Sequence, residues 1–270
     1  MLKIKRYIIE KLKIDNETKT VEYQYFPKSK AELIKIISSL IKERGADADL
    51  NDIDTSEIKD MSYLFNMDSS DYRCNFKDIG KIDISGWNTS NVVNMAYLFY
   101  KWEDFNCDLK GWDLSNVTNA ESMFEGCKKF NCNISNWDTS NLKNMKSMFK
   151  NCENFNSDIS KWNTSNVETL QTTFFNCKRF NSDLNDWNTS KVSNMYGTFY
   201  KCENFNSDLS KWDVSNVSDM YGMFSGCKKF NGNGLENWKP KHDGYSRVKT
   251  EYMFDGTLVT KKRRPSWYKK

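Results

Sequence analysis

FNCDLKGWDLSNVTNAESMFEGC, residues 105 to 127, returns fifty residues later as FNSDISKWNTSNVETLQTTFFNC, residues 155 to 177. The tryptophan in these strings recurs at Trp87, Trp112, Trp137, Trp162, Trp187 and Trp212, 25 residues apart each time, and Trp238 follows after 26. A fixed period between about 20 and 50 residues marks a solenoid, in which each repeat buries its apolar side only against its neighbours. The period sets the expected architecture and points away from an enzyme.

Read outward from the Trp, each coil has a regular order. An Asp-aliphatic pair precedes it, as in Asp83-Ile84, Asp108-Leu109 and Asp158-Ile159. The segment through Trp and the next two residues, flanked by Asn, Ser and Gly, reads as a short strand. Ser-Asn-Val follows at Ser90, Ser115, Ser165 and Ser215, where Ser or Asn can cap a helix start. Val92, Met95, Leu98 and Phe99, matched by Val217, Met220, Met223 and Phe224, then fall at helical spacing. The expected fold is thus an α/β repeat solenoid with one short strand and one short helix per coil.

Cys127, Cys152, Cys177, Cys202 and Cys227 form a ladder that invites a metal-array or disulfide reading. Metal sites need converging ligands with spacings such as CxxC and usually His partners. The chain has one His, His242, and no CxxC, so the expectation is small buried residues filling a tight turn, with no metal and no cofactor. Phe-Asn recurs three residues on, and Asn106, Asn131, Asn156, Asn181 and Asn206 read as a stacked ladder satisfying turn backbone groups. The Trp column is read as core, with an aromatic platform for carbohydrate or peptide as its alternative. Thr173 and Thr198 stand where other coils carry Met123, Met148 and Met223, and a hydroxyl buried there needs a partner. After the Cys position the charge alternates strictly: Glu103, Lys128, Glu153, Lys178, Glu203, Lys228. Stacked at about 5 Å, each acid is expected to face a base on both sides.

The net charge of +4 is a property of the tail, because Lys261 to Lys270 (KKRRPSWYKK) holds six positive charges and no negative ones. The rest of the chain carries −2, so no broad basic face of the nucleic-acid-binding kind is present. Mean hydropathy is low at −0.77, yet aromatics make up 14% of the chain, which favours a folded, aromatic-rich core over disorder. No secretory leader and no run of about 18 apolar residues is visible, so the sequence by itself points to the cytoplasm and to no membrane span.

Residues 1–47 lie outside the period and are expected to cap the solenoid. Strands are expected over 4–12 and 20–25. Ser29-Lys30-Ala31-Glu32 is a capping box opening a helix from Ala31 to Arg44, closed by Gly45. Residues 48–258 hold about eight coils, with an insertion of nine residues between Asn66 and Lys77 as a candidate binding loop, and residues 259–270 form the basic tail.

The string Met123-Phe124-x-x-Cys127-x-x-Phe130, with Val117 before it and Ile134 and Trp137 after it, resembles the BspA-type leucine-rich repeat. It is most similar to the 25-residue variant common in Mycoplasma-type and other bacterial surface proteins, over about Leu50 to Gly256. The resemblance implies right-handed leucine-rich-repeat-like coils, display at the cell surface and a role in adhesion or partner binding. Trp in place of a small aliphatic implies a wider cross-section than an ordinary leucine-rich repeat.

No catalytic constellation is found: no Ser/Cys–His pairing, no phosphate loop and no ligand cluster. The expected function is non-enzymatic binding of a protein partner along an extended ridge, with Lys110, Ser135, Lys161, Asp186 and Lys211, just before each Trp, as candidate partner-facing positions. Monomer or weak self-association is expected. The alternatives are a self-assembling structural protein, or an intracellular scaffold using its 261–270 tail on an acidic partner such as nucleic acid.

Overall fold

The structure is a computed structural model that describes residues 11–14, 17–20, 22–71, 76, 79–240 and 248–268. Strands β1 (Lys11–Ile14) and β2 (Glu17–Thr20) pair antiparallel, from Lys11 opposite Thr20 to Ile14 opposite Glu17. Pairing this close to the turn draws the hairpin tighter than expected. Neither strand matches its predicted span, and residues 4–10 of the first lie outside the described residues. Helix α1 (Lys30–Arg44) begins one residue before the predicted start. Ser29 accepts the Glu32 N–H at 3.3 Å, and Glu32 accepts the Lys28 N–H at 2.7 Å, so the capping residues act in both directions. Gly45, at φ 91°, ends the helix and donates its N–H to Ile41 O. Leu33, Ile37 and Leu40 are buried from this helix, and Lys30 anchors it to the first repeat through Asp60 and the Ser62 carbonyl.

The helix expected from Val92 to Phe99 does not form, nor does the strand through the Trp. The backbone instead alternates between two partners. Met95, Tyr97, Phe99 and Lys101 donate their N–H groups to the carbonyls of Asn119, Glu121, Met123 and Glu125 in the next repeat. Leu98, Tyr100 and Trp102 donate to carbonyls three residues back, at Met95, Tyr97 and Phe99. Tyr97 and Lys101 sit at φ 58° and 60°, a left-handed conformation that a right-handed helix excludes. Successive turns reuse the three-to-four-residue spacing of a helix, which is why Met95, Leu98 and Phe99 imitate one in sequence. One file of parallel bridges falls on one residue per repeat: Asn94, Asn119, Asn144, Thr169, Asn194 and Asp219, with Asp60 and Lys249 at the ends; Tyr25–Ile53 and Asp49–Asp83 bridge separately near the N-terminal end.

Most repeats are folded by three Asx turns, with a side-chain oxygen accepting the N–H two residues on, and Thr169 supplies its hydroxyl at one of these positions. In one repeat they are Asp108 to Lys110, Asp113 to Ser115 and Asn119 to Glu121, at 2.9, 2.8 and 3.1 Å. The recurrent Asp and Asn residues are therefore turn formers. Asp138 and Asp158, held by the backbone N–H and hydroxyl of Ser140 and Ser160, titrate below the ordinary carboxylate value.

Inside, aromatic rings stack in columns. Phe99, Phe124, Phe149, Phe174, Phe199 and Phe224 lie 5.5–5.7 Å apart in file. Each packs at 3.9–4.2 Å on the second phenylalanine of its own repeat, from Phe105 to Phe230. The Trp rings are 2–3% exposed, and each buried indole N–H needs an acceptor. Trp112, Trp137, Trp162, Trp187 and Trp212 all donate to the carbonyl 28 residues earlier, that of the aliphatic residue preceding the previous Trp, at 2.8–3.1 Å. Trp is thus a core residue that also ties neighbouring repeats together.

The C-terminal segment departs from a free tail. Trp267 stacks on Trp238 at 6.0 Å and donates its indole N–H to Leu235 O at 2.9 Å, extending the Trp column by one ring. Tyr268 meets Phe254 edge-on and Val259 is buried. A residue with an indole to bury and an unmatched Trp face beside it has a stronger claim on that face than on solvent.

Candidate binding site

Each ladder has a structural partner. The five thiols of Cys127, Cys152, Cys177, Cys202 and Cys227 are free, buried and donate to carbonyls of the preceding repeat, from Phe99 O to Phe199 O, at 2.8–3.1 Å. Burial raises every one of them well above the ordinary thiol range. The amide oxygens of Asn106, Asn131, Asn156, Asn181 and Asn206 each accept the N–H of the next Asn in the ladder at 2.8–3.0 Å. Thr173 and Thr198 donate to Met145 O and Leu170 O at 2.9 and 3.0 Å, which accounts for both buried hydroxyls.

The alternating charges pair in one direction only. Lys128, Lys178 and Lys228 reach back to Glu103, Glu153 and Glu203 at 2.6, 2.6 and 2.7 Å. The expected column of acids flanked on both sides is instead a set of separate pairs, because one ammonium at this distance commits to one carboxylate.

The proposed partner-facing positions occupy two different columns. Lys110 and Ser135 stand two residues before Trp, whereas Lys161, Asp186 and Lys211 stand one before it. All are exposed except the half-buried Ser135. Lys211 and Asp186 neutralise each other at 2.7 Å, and Ser135 closes on Asn133.

A concavity forms on the side carrying the alternating turns. Two residues after the bridge position stand Tyr196 and Tyr221, where earlier repeats have Glu121, Lys146 and Gln171. One residue further on are Gly197 and Gly222, where Ser122, Ser147 and Thr172 stand before them and Tyr252 after them. Three residues beyond the glycines, Phe175, Tyr200, Ser225 and Asp255 complete the opposite wall. The result is a trough of about 520 Å³ with a glycine floor. Tyr252, 56% exposed, closes its far end beside Tyr221, their ring centroids 5.3 Å apart.

The left-handed conformation of the two glycines is one that side chains elsewhere in the column also bear. Their φ values of 55° and 57° equal those of Tyr97, Ser122, Ser147 and Tyr252 in the same column, at 51–58°. A Cβ at Gly197 would lie 3.5 Å from its nearest neighbour and one at Gly222 3.6 Å, both ordinary contacts. What the glycines supply is space. At the other end of the stack Tyr63 and Tyr97 fill the same column, stacked at 4.6 Å. Between the two ends the face is polar: Glu121 pairs with Lys146 at 2.9 Å and accepts the Tyr97 hydroxyl at 3.1 Å. Burial, then the Glu121 charge, pushes Tyr97 up to about 12. Tyr221 in the trough is also raised, by burial first and then by its neighbours Tyr252, Tyr196 and Glu251.

Sequence reading missed this site. The signal was there, as glycine replacing a side chain in two adjacent repeats beside paired tyrosines, but it emerges only when repeats are aligned on the bridge residue rather than on Trp.

Residues 35–160 and 150–267 each match one family, described as "Mycoplasma protein of unknown function, DUF285". The chain belongs to that family. Together the DUF285 matches run from within α1 to Trp267, so they take in residues from the structures covering both ends of the stack as well as the repeats. No curated protein and no solved structure matches the chain. No helix among the described residues is long and apolar enough to cross a membrane.

Proposed function

We propose that this DUF285 protein is a non-enzymatic binding protein, a solenoid of the BspA-like kind that presents its side surface to a protein partner in an adhesion-type role. The trough at Tyr196, Tyr200, Tyr221 and the two glycines carries this reading. It is a concave aromatic surface in an otherwise regular stack, and aromatic residues are enriched where proteins bind one another. Its length along several repeats suits a segment of chain better than a small molecule.

End-to-end assembly has less support, since α1 lies on one end and Trp267 on the other. The basic-tail scaffold loses its freely presented aromatic, because Trp267 is packed on Trp238.

The test is binding of the purified chain and its Tyr200→Ala and Tyr221→Ala variants to an array of extracellular host proteins and to DNA and RNA. At least a tenfold loss of binding to an array protein in both variants, with unchanged thermal midpoint, is the expected result. Binding that ignores both variants, or binding to nucleic acid alone, overturns it.

A further inference from the structure

We propose that the trough holds a proline-rich segment of the partner in the polyproline II conformation, with a basic side chain of that segment at the Asp255 end. The inference rests on the protein-binding reading above and narrows it to one peptide conformation and one polarity.

The walls disfavour ligands that need open ring faces. Tyr196 and Tyr221 lie on each other at 5.3 Å and 8°, and Phe175 and Tyr200 at 4.6 Å and 12°. One face of each ring is thereby covered by its neighbour. The walls offer ring edges and phenol hydroxyls more than open faces, a poorer platform for a sugar ring or a flat aromatic molecule.

The floor excludes strand addition. The Gly197 and Gly222 N–H groups already donate to Tyr221 O and Glu251 O at 2.9 and 2.8 Å. Their carbonyls already accept the N–H groups of Tyr200 and Ser225 at 3.1 and 3.0 Å. A docked β-strand would find no free backbone ladder, and main-chain pairing is what that mode of recognition uses.

What remains is a surface of hydroxyls and apolar edges above a smooth floor. Tyr196, Tyr200, Tyr221, Tyr252 and Ser225 can all donate. A polyproline II segment is the complementary chain: its carbonyls have no internal partner, and proline brings no N–H that would need an acceptor.

Charge sets the polarity. Asp255 is exposed at one end, with Glu251 beside the same end, and no described residue forms an ion pair with Asp255. Towards the other end Lys201 lies over Tyr200 at 5.5 Å, while Lys150, over Phe175 at 6.0 Å, is neutralised by Glu125 at 2.8 Å. A cationic side chain is favoured at the Asp255 end, away from the Lys201 ammonium.

The experiment is fluorescence polarisation of the full chain with labelled peptides of equal length: proline-rich with one terminal arginine, the same with glutamate for arginine, a helix-forming peptide and a strand-forming peptide. The proline–arginine peptide is expected to bind best, at least fivefold tighter than the glutamate version, and Asp255→Asn is expected to remove most of that difference. Gly222→Tyr fills the floor with a side chain that Tyr97 and Tyr252 already place at this backbone conformation. It is expected to weaken binding at least tenfold with an unchanged thermal midpoint. Preferential binding of the helical or strand peptide, lost in Gly222→Tyr, overturns this inference and leaves the protein-binding reading standing. Binding of no peptide, with an array protein still held through Tyr200 and Tyr221, also overturns the inference alone. Equal binding of the proline peptide by wild type and Gly222→Tyr overturns it too, since the trough is then not its site.

Discussion

Cys177 shows how one residue is made inert by its repeat. Its thiol is fully buried, donates to Phe149 O at 2.9 Å and lies against Cys152 and Cys202 in the same file. A thiol reacts as its thiolate, so a buried thiol with a raised pKa is a packing residue. The consequence for stability has a definite sign. Burial keeps the folded thiols protonated, and Cys132, half-buried, is pushed from 9.0 to about 12. Below pH 9 folded and unfolded chains carry the same thiol protons. Above it the unfolded chain ionises first and binds fewer protons, so stability falls as pH rises through the window from 9 upward. Urea midpoints measured from pH 7 to pH 10.5 are expected to decline only above about pH 9. A flat profile to pH 10.5 would show the thiols accessible in the folded state. The Trp column was legible from sequence as core; its indole-to-carbonyl bonds were not, because the acceptor sits in another repeat.

Within the repeat, the element is a run of turns with left-handed residues four positions apart. At the second of these, Lys101, Asn151, Asn176 and Lys201 tolerate φ of 57–62°, whereas Gly126 and Gly226 stand at 84° and 77°. Both glycines follow a lysine in the column, and a Cβ on Gly226 would come 3.1 Å from Lys201 Cγ and 3.3 Å from its Cα. Gly226→Ala is therefore expected to cost about 1–2 kcal/mol for the left-handed conformation and more for the close approach to Lys201. A Gly197→Ser change, which recreates Ser122 and Ser147, shares the left-handed conformation without the close approach and is expected to cost less than Gly226→Ala. Chemical denaturation of the two variants side by side checks the contrast, and equal losses would mean that the turn geometry, not the close approach, sets the cost. The paired charges are weaker elements: Lys128 with Glu103 is half-exposed on both sides, and such pairs contribute at most about 1 kcal/mol.

For the whole molecule the question is how a stack of near-identical repeats ends. Each interior ring has a neighbour on both sides, and a terminal ring needs a different cover. Helix α1 supplies Leu33, Ile37 and Leu40 at one end; Val259, Trp267 and Tyr268 supply the other. Removing residues 259–270 uncovers Trp238 and Phe254. The truncated chain is expected to gain mass with concentration in light scattering and to melt at lower temperature, while the full chain does neither. Identical behaviour of the two chains would return the segment to the role of a solvated tail.

Legible in the sequence alone were the 25-residue period, the inward columns of Trp, Phe and Cys, the caps of α1 and its span to within one residue, and the register shift of nine residues between Asp60 and Asn94. These follow from local periodicity, capping chemistry and apolarity, which any stretch of chain reveals without its neighbours. Tertiary structure alone decided that the expected helix is a run of turns, because half its N–H groups find acceptors 24 residues away rather than four. It alone decided that Trp267 closes the stack, and that Tyr196, Gly197, Tyr200, Tyr221 and Gly222 make one trough. Both depend on which residues of different repeats lie side by side, and that alignment is set by hydrogen bonds between repeats, not within them.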